Sequence, residues 1–166
     1  MTVTEIAIQQ KLDKEITTLV KRSGIDKRLY GAKGNLTYTD FLANKMLMIL
    51  VIKEGIPYSL FDLIQLYTPF SENDWANLLD ISTKSLQRYK QSAKNFRPIQ
   101  SEKILEMSEV TNAGLNVFGN MERFKLWLGT PNFSLGNLKP LELLGDSYGK
   151  EMVMSELTRI DHGILA

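Results

Sequence analysis

Helical periodicity runs through almost the whole chain of 166 residues, and it constrains the fold more than any other feature. Ile8, Leu12, Ile16 and Leu19 recur three or four residues apart between charged residues, which predicts an amphipathic helix over about residues 4–22. No stretch shows a sustained alternation of apolar and polar residues, so a sheet is not expected. The sequence therefore predicts an all-α protein.

Turn-forming residues divide this helical pattern. Residues 23–38 are rich in glycine and predict a loop. Thr39 or Asp40 can then cap a second helix that continues to Lys53. Later, Pro98 predicts a break and Ser101 the start of a further helix. We predict three parts: an N-terminal helical extension at residues 1–54, a helix-turn-helix region at residues 55–100, and a helical unit at residues 101–166.

Two short predicted helices in the middle of the chain have the pattern of a helix-turn-helix. Ser71 caps the first, over residues 72–79, and Ser82 caps the second, which runs from residue 83 to about residue 92. Three residues link the two helices. The first of them, Asp80, stands where such turns usually have glycine.

The outward face of the second of these helices is basic. Between Lys84 and Arg97 there is no acidic residue, although the net charge of the chain is only +1. Lysine and arginine neutralise phosphates, and Gln87 and Arg88 could reach base edges in a major groove. We predict DNA binding by Ser82, Lys84, Ser85, Gln87, Arg88, Lys90 and Lys94. A solvated basic helix face without a ligand accounts for the same pattern and stays open as an alternative.

The C-terminal third combines apolar helices with an irregular loop. Trp127 belongs to a short apolar helix, where core filling is the simplest interpretation. Pro131, Gly136 and Pro140 predict the loop that follows, in which Asn137 is suited to a left-handed conformation.

The last predicted helix has an apolar stripe and a polar side. The stripe consists of Val153, Leu157, Ile160 and Ile164. The residues predicted to face water or a partner are Lys150, Glu151, Glu156 and Arg159. Gly163 is a natural helix stop, so a short apolar tail follows it. A frayed chain end is the alternative interpretation of this tail.

Composition argues against most catalytic chemistry. The chain has no cysteine, and His162 is its single histidine, so cysteine nucleophiles and histidine-pair metal sites lose their support. The segment from Gly31 to Gly34 lacks the strand and the Lys-Ser/Thr spacing of a phosphate-binding loop. We predict a protein that is not an enzyme and needs no metal or cofactor.

The sequence predicts neither a membrane-spanning segment nor a signal peptide. The most apolar run, residues 46–52, is far shorter than the roughly 20 residues that a bilayer requires. The N-terminus lacks the basic start and apolar run of a signal peptide. We therefore expect a cytoplasmic protein that has no membrane partner.

The order and spacing of several motifs resemble antitoxins of the Xre/MbcA/ParS type. The C-terminal motifs are Trp127-Leu-Gly-Thr-Pro-Asn, Leu135-Gly136, Pro140-Leu-Glu-Leu-Leu, Gly149 and Leu157-Thr-Arg-Ile-Asp-His-Gly. The motifs that resemble the Xre-like half are Leu79-Asp-Ile-Ser-Thr-Lys-Ser-Leu-Gln-Arg88, Gln100-Ser-Glu102-Lys-Ile-Leu and Val117-Phe-Gly119. The resemblance covers about residues 55–166, and Asn137 replaces a glycine that is common in that loop.

The resemblance implies an antitoxin of a bacterial type II toxin–antitoxin system, with a C-terminal helical toxin-binding domain at residues 101–166. Such a protein binds and neutralises a cognate toxin, commonly a RES-domain enzyme that degrades NAD. It also binds operator DNA, represses its own operon, and is expected to form a homodimer within the complex. The terminal segment blocks the active site of the toxin, which points to Arg159, His162, Gly163, Ile164, Leu165 and Ala166.

Two questions remain open at this level. A stand-alone helix-turn-helix transcriptional regulator without a toxin partner would use the same basic face, but it would not explain the C-terminal loop and tail. The N-terminal helix, for its part, could mediate dimerisation or pack within the chain.

Overall fold

The computed structural model describes residues 2–25, 27–29 and 35–163, and these residues form a helical protein. The helices are α1 Val3–Arg22, α2 Tyr38–Ala43, α3 Lys45–Glu54, α4 Tyr58–Leu66, α5 Glu72–Leu78, α6 Thr83–Ser92, α7 Pro98–Phe118, α8 Met121–Leu128, α9 Pro140–Leu143 and α10 Ser147–Asp161. Two 3₁₀ turns lie at Lys27–Leu29 and Phe133–Leu135. Among the described residues, β-type pairing is limited to one isolated bridge between Asn132 and Leu138. The predicted all-α fold is confirmed.

The N-terminal helix α1 packs within the chain. Thr2 and Glu5 form a reciprocal capping box at its start. Its predicted apolar stripe is buried against α2 and α4, with Leu12 and Ile16 fully shielded from solvent. The hydroxyl of Thr17 bonds to the backbone of Leu36 and fixes the chain that leads into α2. Packing within the chain is thus observed for this helix.

The predicted single helix from residue 39 or 40 to Lys53 is wrong, because Asn44 interrupts it. Asn44 has an extended backbone (φ −107°, ψ 92°) and separates α2 from α3. Its side-chain oxygen accepts from the amide of Leu47, and its amide group donates to the carbonyl of Leu29. The asparagine therefore caps α3 instead of continuing α2.

In the part of the chain that the structure describes, no helix is long and apolar enough to cross a bilayer.

The predicted break at Pro98 is also wrong, because Pro98 occupies the first position of α7. Proline is favoured there, since the first amides of a helix have no intrahelical partner and the fixed φ suits the helix. Ser101 is buried inside α7 and does not start it. Its hydroxyl accepts from the amide of Ile56 at 2.8 Å and donates to the carbonyl of Phe96 at 3.3 Å.

The 21-residue helix α7 is the central element of the fold. It packs against α2, α3 and α4 on the N-terminal side of the chain, and against α8 and α10 on the C-terminal side. Glu109 of α7 joins both sides, because its carboxylate accepts from Lys45 of α3 and from Lys150 of α10. The division into three parts stays a prediction, and α7 links all of them.

Replacing Glu109 with glutamine is expected to lower the free energy of unfolding by about 1–2 kcal/mol at neutral pH. Burial alone would raise the pKa of Glu109, but the hydrogen bonds from Lys45 and Lys150 outweigh it and lower the pKa. A lowered folded-state pKa stabilises the protein above the ordinary pKa of glutamate, and this contribution is lost as the pH falls through the folded-state value.

Urea unfolding of both proteins at neutral pH and at an acidic pH below the folded-state pKa of Glu109 measures this effect. The difference in unfolding free energy should shrink on the acid side, since Glu109 then also carries a proton. Glu102→Gln, an exposed change on the same helix, is the control and should show little difference at either pH. A Glu109 difference that is equal at both values would contradict the proposed cause.

Candidate functional site

Helices α5 and α6 form the predicted helix-turn-helix. Ser71 and Asp74 make the expected capping box, and the hydroxyl of Ser82 accepts from the amide of Ser85 at 3.0 Å. In the turn, the amide of Ile81 donates to the carbonyl of Ala76 at 3.0 Å. Asp80 has a φ of 52°, so it adopts the left-handed conformation that glycine usually provides. The turn is therefore formed in spite of the missing glycine.

An aromatic core beneath this motif holds α6 in place. Leu86 is buried, and the ring of Tyr89 stacks on Phe96 with a centroid distance of 4.4 Å. Phe96 also packs on Phe61, which contacts Trp75 of α5 edge to face. Because the inner face of α6 is used for packing, its other face is presented to solvent.

The structure brings most of the predicted DNA-binding residues to this outer surface. Lys84, Gln87, Arg88 and Lys94 are exposed, and Ser85 is half-buried. The hydroxyl of Ser82 is exposed but already serves as the cap of α6.

Two of the predicted DNA-binding residues lie close to carboxylates. The amide of Gln87 donates to the carboxylate of Glu72 at 3.4 Å. Lys90 lines a cleft between α4 and α6, together with Asp62 and Glu72. The basic surface is therefore formed chiefly by Lys84, Arg88 and Lys94.

In the C-terminal third, a tight loop presents Phe133 to solvent. Gly136 and Asn137 both have a positive φ, as predicted for Asn137. The amides of Asn132 and Asn137 donate to the carbonyls of Leu138 and Asn132, respectively, which closes the loop. Leu135 is buried beneath it, whereas the side chain of Phe133 is 83% exposed.

The start of α10 lies directly against α9. Asp146 caps α10 by accepting from the amide of Gly149 at 2.8 Å. An ideal Cβ at Gly149 would lie 1.8 Å from the carbonyl oxygen of Leu143. Only glycine therefore permits this approach of the two helices.

A shallow groove of about 420 Å³ lies between the loop that carries Phe133 and α10. Tyr148, Met152 and Arg159 of α10 line one side, and Ser134 and Leu135 line the other. Tyr148 is 83% exposed, and Met152 is also exposed. Phe133 does not line the groove, but it precedes Ser134 in the sequence and is exposed as well. We call this groove, with the exposed side chains of Tyr148, Met152 and the neighbouring Phe133, the α10 groove.

The predicted terminal site lies at the end of this helix. Arg159 is partly exposed and pairs with Glu156 at 3.2 Å. His162 is exposed, and its Nδ1 lies 2.8 Å from the carbonyl of Thr158. Gly163 has a φ of 68° and follows the helix end as predicted. Ile164, Leu165 and Ala166 lie outside the described residues.

The predicted polar side of α10 is only partly correct. Glu151 is exposed, but Glu156 is buried, and Lys150 is half-buried with its ammonium group bonded to Glu109. Lys150 is held against α7 by its ion pair with Glu109, whereas Glu156 lies at the groove between α10 and the loop that carries Phe133. Glu156 is thus a buried partner of Arg159, which it holds at the rim of the groove.

The sequence interpretation missed Phe133, Tyr148 and Met152. Tyr148 and Met152 are four residues apart and lie off the stripe of Val153 and Leu157, a spacing that could have revealed a second apolar face on α10. Trp127, in contrast, is half-buried and packs on Phe118 and Phe124, which agrees with core filling.

Comparison with known proteins supports the resemblance seen in the sequence. Residues 113–163 match the antitoxin Xre/MbcA/ParS C-terminal toxin-binding domain, and this match contains the α10 groove. The chain is 26% identical to an antitoxin Xre of Photorhabdus laumondii over 117 residues, 70% of this chain and 79% of that protein. It is 28% identical to an antitoxin Xre of Yersinia enterocolitica over 116 residues, 69% of this chain and 78% of that protein. The predicted resemblance is confirmed.

Proposed function

Because residues 113–163 match the Xre/MbcA/ParS C-terminal toxin-binding domain, we propose that this protein is the antitoxin of a toxin–antitoxin pair. It binds its cognate toxin through the α10 groove and the end of α10. Its helix-turn-helix binds operator DNA and represses the operon that encodes both proteins. The family match and the similarity to two antitoxins support the first part, and the basic surface of α6 supports the second.

The observation that carries the toxin-binding proposal is the exposure of large apolar side chains around the α10 groove. Phe133 and Tyr148 are each 83% exposed, although each side chain could bury a large apolar area. Exposed aromatic groups beside a groove are typical of protein interfaces, where they dominate the binding energy. The polar rim is provided by Glu151 and Arg159, which could fix the orientation of the partner.

The terminal residues would complete this contact. Arg159 projects from the end of the groove, and Gly163 ends the helix before the apolar tail of Ile164, Leu165 and Ala166. We propose that this tail enters the active-site pocket of the toxin and excludes its substrate sterically. For a toxin with a RES domain, the excluded substrate is NAD. His162 is the further predicted contact of this segment.

Co-expression with the product of the neighbouring co-transcribed gene tests this function. We expect that product to arrest growth when expressed alone, to be neutralised by this protein, and to co-purify with it. A truncation after Gly163 should weaken neutralisation about tenfold, because it removes the apolar tail that fills the pocket. Ile99→Ala, which shortens an exposed apolar residue outside the matched domain, is the control.

Two outcomes would count against these proposals. A neighbouring product that is harmless, or that does not bind, would contradict the antitoxin function. Full neutralisation by a folded truncation would leave the antitoxin function intact but would contradict active-site blocking by the tail.

For the DNA-binding half, the double variant Lys84→Ala/Arg88→Ala is expected to weaken binding to the duplex that precedes the gene. The slope of log affinity against log salt should become shallower by about 1–2, since up to two phosphate contacts are lost. Fluorescence anisotropy across a salt series measures both quantities. Lys53→Ala/Lys125→Ala, which removes two exposed cations elsewhere, is the matched control. Equal affinities and slopes for both double variants would show that α6 does not contact the DNA.

A further inference from the structure

A second basic surface lies beside the outer face of α6. The segment of residues 93–97, which joins α6 to α7, encloses with α6 a cleft of about 760 Å³ that is open to solvent. We call it the α6–α7 cleft. The residues of its lining that matter for its chemistry are Arg88, Tyr89, Ser92, Lys94, Asn95 and Arg97.

The segment that forms the far wall of this cleft is tightly held. The amide of Phe96 donates to the carbonyl of Ile56 at 2.8 Å, and the side chain of Asn95 bonds to the carbonyl of Glu54. Tyr89 stacks on Phe96 and donates its hydroxyl to the side chain of Gln100 at 3.1 Å. The cleft is therefore a preformed shape in which Arg97 projects from an anchored backbone.

The charge of the α6–α7 cleft has one sign. Its lining contains Arg88, Lys94 and Arg97 and no carboxylate. Within residues 2–25, 27–29 and 35–163, none of these three cations forms an ion pair. The cleft on the other side of α6 differs, because Asp62 and Glu72 line it with Lys90. Of the two clefts that flank α6, the α6–α7 cleft is thus the one that favours an anion, and the nearby start of the long helix α7 adds positive potential.

From this geometry we propose that the α6–α7 cleft binds backbone phosphates of DNA and that Arg97 is their anchor. The inference rests on the proposed DNA binding and adds a second DNA-contacting surface beside the outer face of α6. Ser85 and Arg88 belong to both surfaces. A DNA strand at the edge of the major groove that α6 occupies therefore continues into the cleft. Contacts of this kind fix the register of a protein on DNA without reading its sequence.

The test compares Arg97→Gln with Lys125→Gln, which removes an exposed cation on α8. Anisotropy titrations use the duplex that precedes the gene and a scrambled duplex of the same length. Loss of one phosphate contact makes the slope of log affinity against log salt shallower by about 0.9, so the loss of affinity relative to the wild-type protein is about eightfold larger at 0.1 M than at 1 M salt. We expect this loss for Arg97→Gln on both duplexes, no change for Lys125→Gln, and a wild-type circular dichroism spectrum for both.

The other outcomes overturn the inference in distinguishable ways. If the wild-type protein binds DNA and Arg97→Gln binds both duplexes equally well with the same slope, the cleft is not a phosphate site, although DNA binding stands. If the wild-type protein binds neither duplex, the proposed DNA binding fails together with the cleft. A loss confined to the first duplex would make Arg97 a base-reading residue. Saturable binding of inorganic phosphate that Arg97→Gln abolishes, with unchanged DNA binding, would assign the cleft to a free anion.

Discussion

Replacing both Phe133 and Tyr148 with alanine is expected to weaken binding of the toxin by two to three orders of magnitude. Aromatic residues at the centre of an interface each contribute about 2 kcal/mol or more when truncated, and every 1.4 kcal/mol is a factor of ten in affinity. Both side chains are highly exposed in the free protein, so little of this energy is already used in folding. The double variant should accordingly retain its stability and its circular dichroism spectrum.

Isothermal titration with the purified toxin, or with a catalytically inactive form of it, measures this loss. Leu66→Ala/Ile99→Ala is the matched control, since both residues are large, apolar and exposed but lie outside residues 113–163. The control should bind the toxin like the wild-type protein. If the two double variants lose the same small amount of affinity, the α10 groove is not the toxin-binding surface.

The parts of the fold that follow from local chemistry could be predicted from the sequence. Ser71 and Ser82 cap their helices through hydrogen bonds to amides three residues away, and such contacts depend only on neighbouring residues. The left-handed conformation of Asn137 is likewise local, because the tight loop in which this residue lies requires it. Periodicity and these caps likewise placed α1, α5 and α6 close to their observed bounds.

The errors occurred where a distant residue decides the local structure. Asn44 interrupts the helix while its side chain donates to Leu29, which is 15 residues earlier in the chain. Ser101 looked like a helix cap, but its hydroxyl instead accepts from the amide of Ile56, 45 residues away. Glu156 was expected to face water or a partner, but it is buried and pairs with Arg159. The contacts of Asn44 with Leu29 and of Ser101 with Ile56 have no signal within their own segments.

The candidate sites show the same limit. A basic run on α6 is visible in the sequence, yet the separation of Lys90 from Arg88 into two clefts depends on how α4 and the segment of residues 93–97 flank the helix. The α10 groove exists because the loop that carries Phe133 folds over Leu135 beside α10. The sequence pointed to the chain end from Arg159 to Ala166 and did not identify the groove, and the part that each plays in toxin binding stays a proposal.

Replacing Gly149 with alanine is expected to destabilise the protein by about 3 kcal/mol or more, at the upper end of the range for overpacked sites. The added Cβ would lie 1.8 Å from the backbone oxygen of Leu143. A backbone atom cannot move away from this clash as the end of a flexible side chain could. The helices α9 and α10 must then separate, which also disturbs the capping bond between Asp146 and the amide of Gly149. Urea unfolding followed by tryptophan fluorescence measures the change.

Gly145→Ala provides the matched control, because a Cβ at that position, four residues earlier, meets no atom within 4 Å. It should change the unfolding free energy by less than about 1 kcal/mol. Since the start of α10 also carries Tyr148, Gly149→Ala should weaken toxin binding, whereas DNA binding by the distant α6 should persist at temperatures where the variant stays folded. Equal stability of the two glycine variants would mean that α9 and α10 are not held in the close contact that shapes the groove.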